Sequence, residues 1–71
     1  PAESIGKRAN SAGDLNFAIS IALRNYVANK GESYNTYNEI MGVLSCVQQE
    51  FYRRAVVPYE EKKIKENGDI F

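Results

Sequence analysis

The sequence predicts an all-α protein, an antiparallel helical hairpin with a short third helix. Two long segments, about 12–30 and 35–57, repeat apolar residues at three-and-four spacing. No proline interrupts either of them before Pro58. The link between them is only four residues long, which favours antiparallel neighbours.

The first helix opens at Ser11, where Ser11-Ala12-Gly13-Asp14 has the form of a capping box with Asp in place of Glu. Leu15, Ala18, Ile19, Ala22, Leu23 and Tyr26 make one apolar face, and Gly31 supplies the stop. Phe17, Ile21 and Ala28 lie roughly opposite that face. A helix that is apolar on two sides needs cover from two directions.

The second helix is the long one. Asn35 or Thr36 is expected to cap it, and Tyr37, Ile40, Leu44, Val47, Phe51 and Ala55 form its apolar stripe. At helical rise it extends about 34 Å, as long as a compact chain of this size is wide. Its far side carries Gly42, Ser45, Cys46 and Gln49, small enough to let another helix approach. Pro58 either kinks this helix or opens the third. Glu60 and Glu61 would then sit in the first turn of that third helix, with Lys62, Lys63 and Lys65 towards its end. Asn67-Gly68 closes it, leaving Ile70 and Phe71 as apolar residues in the tail. Residues 1–10, with Ile5 as the only sizeable apolar side chain, read as a flexible arm before a single helical domain at 11–71.

Composition narrows the function. A 71-residue chain buries only about 60% of its unfolded surface and usually needs a disulfide, a metal or a partner. Cys46 is alone and there is no histidine, so the expected supplement is another copy of the chain, with no metal and no cofactor. The predicted interface comprises Phe17, Ile21, Gly42, Cys46, Ile70 and Phe71. Nine basic residues balance nine acidic ones, which disfavours an electrostatic grip on nucleic acid or lipid. No apolar run is long enough to span a bilayer and no signal-peptide pattern opens the chain, so a cytoplasmic setting is expected.

Catalysis finds little support. Without histidine, Ser–His and Cys–His nucleophile pairs are excluded. No glycine-rich phosphate loop or EF-hand loop is present either, and the expectation is a protein that is not an enzyme. The one candidate ligand site is anionic in its preference. Arg53 offers a planar fork to phosphate or carboxylate, Tyr52 and Tyr59 offer stacking faces, and Lys62 and Lys63 add charge. Arg54, one turn after Glu50, is expected to pair with it as an ordinary surface ion pair.

Four stretches carry a resemblance: Gly13 to Ile19 (GDLNFAI), Glu50 to Arg54 (EFYRR), Pro58-Tyr59-Glu60 with Lys62-Lys63, and Glu66 to Phe71 (ENGDIF). Through them the chain, from Gly13 to Phe71, resembles a family of very small bacteriophage and prophage proteins of unknown function. The resemblance implies a phage accessory protein working in the host cytoplasm. By analogy of size and source, the expectation is a non-catalytic homo-oligomer that interferes with a host process, including host defence, by sequestering a small nucleotide-like anion between subunits. Direct inhibition of a host protein is the alternative within that class. A nucleic-acid-binding accessory protein and a structural phage component are alternatives outside it.

Overall fold

A computed structural model describes residues 8–71. The flexible arm expected at 1–10, and Ile5 with it, lies largely outside the described residues. Among the described residues every regular element is helical: α1 (Ala12–Lys30), α2 (Tyr34–Phe51), a π-helical segment (Tyr52–Val56) and α3 (Val57–Asn67). The chain divides into two compact units, one ending at Ile40 and the other running from Met41 to Phe71.

In the first unit, α1 begins as its sequence dictates. Ser11 is extended (φ −142°, ψ 161°) and its hydroxyl accepts from the Asp14 backbone N–H at 3.1 Å. That satisfies one of the unpaired amides of the first turn, where Asp14 also meets the positive end of the helix dipole. Lys30 stands at the opposite end. Gly31 stops the helix at φ +91°, a conformation costly for any residue with a Cβ, and its N–H donates to the Val27 carbonyl at 2.7 Å.

The turn that follows is built around one buried hydroxyl. Thr36, only 3% exposed, donates from Oγ1 to the Gly31 carbonyl at 2.7 Å. Its backbone N–H donates to Ser33 Oγ at 3.1 Å. Because the Thr36 proton is committed to Gly31, the remaining 3.1 Å contact between the two hydroxyls takes its proton from Ser33. Ser33 is therefore the cap of α2, in place of the expected Asn35 or Thr36, and the helix starts at Tyr34. Two tyrosines brace the turn: Tyr26 donates to Glu39 Oε1 at 2.6 Å, and Tyr37 donates to Glu32.

In the second unit, Pro58 stands in the first turn of α3, close to the first position expected for it. The third helix expected to start after Pro58 is instead continuous with what precedes it, since α3 starts at Val57 directly from the π-helical segment. The reason is local. A proline inside a helix lacks the N–H and pushes its ring against the carbonyl four residues earlier, here Arg54. The wider π turn, in which the Val57 N–H reaches back five residues to the Tyr52 carbonyl, gives that ring room. Gly68, at φ +87°, then ends α3 with its N–H on the Ile64 carbonyl at 2.8 Å.

Burial is sparse. Among the described residues Ala18 and Thr36 alone are buried, and none of residues 41–71 is. Ile21, Leu23 and Val27 of α1, and Ile40, Leu44, Val56 and Val57, are half-buried. The remaining large apolar side chains stand exposed.

Replacing Thr36 by Val keeps the shape and removes the hydroxyl, leaving the Gly31 carbonyl without its donor. We expect a loss of about 1–3 kcal/mol in urea unfolding. A change within about 0.5 kcal/mol, the range of neutral surface substitutions, would show that water takes over the hydroxyl's role.

Candidate functional site

Three stretches of surface carry the chemistry, all within residues 41–71. The first is an open groove of about 560 Å³ lined by Cys46, Val47, Glu50, Phe51, Arg54 and Ala55. Its floor is the apolar stripe read from the sequence, but the stripe faces outward: Val47 is 58% and Phe51 65% exposed. Glu50 and Arg54 form the polar edge.

At that edge the expected Glu50–Arg54 pair is present, and Arg53 joins it in a contact the sequence did not suggest. Glu50 accepts from both arginines, from Arg53 Nη2 at 2.9 Å and from Arg54 Nη1 at 3.1 Å. Adjacent residues of a regular α-helix point about 100° apart, which by itself would set the two arginines on different faces. Both arginines lie in the π-helical segment, whose wider turn reduces the rotation per residue. One carboxylate between two guanidinium groups leaves an excess of one positive charge. All three side chains are more than half exposed, so the pairs contribute little to stability.

The second stretch lies beside it, a groove of about 510 Å³ lined by Gln48, Gln49, Tyr52 and Arg53. Tyr52 and Arg53, two of the five residues predicted for an anionic ligand, meet here. The Tyr52 hydroxyl is turned towards Glu60 Oε1, 3.2 Å away.

The other predicted ligand residues lie further along. Tyr59 and Lys63 line the third stretch, a groove of about 370 Å³ that also takes in Ile64, Ile70 and Phe71. The Lys63 ammonium stands 5.5 Å from the centroid of the Tyr59 ring, within cation–π range, and 3.5 Å from Glu66 Oε1. Lys62 is exposed on the same helix. Tyr52 and Arg53 thus share one surface, and Tyr59 and Lys63 share another.

The predicted interface residues are also accessible to differing degrees. Phe17 is 56% exposed and Ile21 half-buried, and a Cβ added at Gly42 would meet nothing within 4 Å. Cys46 is exposed in the apolar groove, while Ile70 and Phe71 stand fully out, at 90% and 108%. The sequence pattern placed Val47 and Phe51 on one apolar stripe of the second helix, and both are exposed. Their periodicity located the stripe correctly but could not say which surface covers it.

Among the described residues no group of three His, Cys, Asp or Glu side chains is placed to hold a metal ion. No helix there is long and apolar enough to cross a membrane. Fold and surface together define, over the described residues, a small all-helical protein with open apolar grooves. The chain belongs to the family described as a domain of unknown function (DUF6899), which matches residues 2–70. No curated protein and no solved structure matches it.

Tyr26, Tyr37 and Tyr52 each donate to a carboxylate, and that hydrogen bond is the main cause that raises their pKa above the ordinary 10.0. A neutral phenol donates to Glu39, Glu32 or Glu60, whereas a phenolate would be repelled. The stability these contacts supply is present below pH 10 and is lost as pH rises through the raised values. An alkaline absorbance titration is expected to show three late-ionising tyrosines. Tyr52→Phe should remove one of them, and three undisplaced late steps in that variant would rule out the Glu60 contact.

Proposed function

We propose that this chain is a non-catalytic binding protein that works as a homo-oligomer of antiparallel helical hairpins. The observation that carries this reading is the outward apolar stripe of residues 41–71, a unit without one buried residue. Isolated helices are marginal in water and draw their stability from packing an apolar face. A contiguous exposed patch of this kind is the mark of an interaction surface. The three-residue turn closed by Thr36, with Tyr26 tied to Glu39, supports the hairpin.

Within the oligomer, the ligand is a small nucleotide-like anion held between subunits. The positive excess at Glu50-Arg53-Arg54, with Tyr52 lining the same surface as Arg53, supports that class. The resemblance to small bacteriophage proteins supports an accessory role against a host process such as defence.

Sedimentation velocity at micromolar concentration is expected to give a multiple of the 8.0 kDa chain mass. A stably folded monomer would overturn the reading. Gly42→Ala separates two faces. In open solvent it should stabilise the helix by up to about 1 kcal/mol, whereas weakened association would assign Gly42 to the contact. By calorimetry against a nucleotide panel, Arg53→Ala should lose about ten- to a hundred-fold in affinity with assembly intact. Wild-type protein that binds none of the panel would remove the anion and leave a host protein as the target.

A further inference from the structure

The second unit presents an apolar groove and, at its other end, an exposed apolar pair that forms a knob. We propose that the tail of one copy, Ile70 and Phe71, seats in the groove of another copy over Val47, Phe51 and Ala55. This deepens the homo-oligomer reading and rests on it.

The knob is the most exposed apolar pair described. Gly68 ends α3 at φ +87°, turning the chain out of the helix, and the Phe71 N–H donates to Asp69 Oδ1 at 2.9 Å. Ile70 and Phe71 border the third groove with Tyr59 and Ile64 of α3, yet that groove leaves both side chains exposed. The first groove is the other half: open, about 560 Å³, apolar in its floor, with Arg54 at its edge.

Reach decides whose tail occupies it. Ala55, the groove residue nearest the tail, lies 12 residues before Asn67 along a continuous helical run, about 18 Å at helical rise. Residues 68–71, fully extended, span at most about 14 Å. A chain's own tail therefore cannot return to its own groove. Charge favours the same pairing between copies. Asp69 precedes the knob, and Arg54, which shares the groove's edge with Glu50, keeps guanidinium donors beyond the one given to Glu50 that can receive it. Such a contact joins different patches on the two partners, and it closes into a ring or a reciprocal pair according to the rotation between copies.

The test uses the full chain carrying Ile70→Cys, with the native Cys46 in the groove as its partner. Isotopically light and heavy chains are unfolded together, refolded and oxidised, and the disulfide-linked peptides are weighed. We expect a peptide joining Cys46 to the thiol introduced by Ile70→Cys, about half of it mixed light and heavy, as random pairing between copies gives. In the otherwise native chain, Phe71→Ala should weaken association at least about tenfold in sedimentation. If the protein remains oligomeric, gives no mixed-isotope peptide and is indifferent to Phe71→Ala, the tail-in-groove contact is overturned while the oligomer stands. If the wild-type chain is a monomer throughout, both fall.

Discussion

The constraint on which the described structure depends is a shortage of interior. Helices that carry apolar residues on more than one side need more covering surface than a chain of this length supplies. The outcome is visible residue by residue: Ala18 and Thr36 are buried among the described residues, while Val47, Phe51 and Tyr59 are not. What would be core in a larger domain is surface here. Local devices hold the helices in shape, and the apolar stripe stays exposed.

Those local devices are unusually dense around the turn. Thr36, Ser33 and Gly31 form a closed set of hydrogen bonds in which each proton has one destination. A buried hydroxyl is stabilising only when satisfied, and here the satisfied hydroxyl fixes where α1 stops and α2 starts. The phenols of Tyr26 and Tyr37 reach carboxylates across the same region. Exposed contacts of that kind are individually weak, yet several of them acting on one short turn restrict it from both sides.

The π-helical segment links backbone and chemistry. It accommodates Pro58 without ending the helix, and it contains Arg53 and Arg54, which share Glu50. The turn that makes room for the proline thus also carries the charges one turn earlier. π turns recur at functional sites, and here the segment also carries Tyr52 and Ala55, one on each side of the helix that the grooves occupy.

The sequence by itself determined the helical class, the span of α1 with its Ser11 cap and Gly31 stop, and the Gly68 stop of α3. These depend on residues within a few positions of one another, through capping hydrogen bonds and the tolerance of glycine for positive φ. It also placed the apolar stripe of α2, because periodicity is a property of the helix alone. The tertiary structure decided what local patterns cannot: that Ser33 caps α2 because Thr36 is committed to Gly31, and that Pro58 is absorbed by a widened turn. It decided, too, that Val47 and Phe51 face outward. Periodicity names a face, but burial depends on whether a second surface lies against it, and that surface is set by the whole chain and its neighbours.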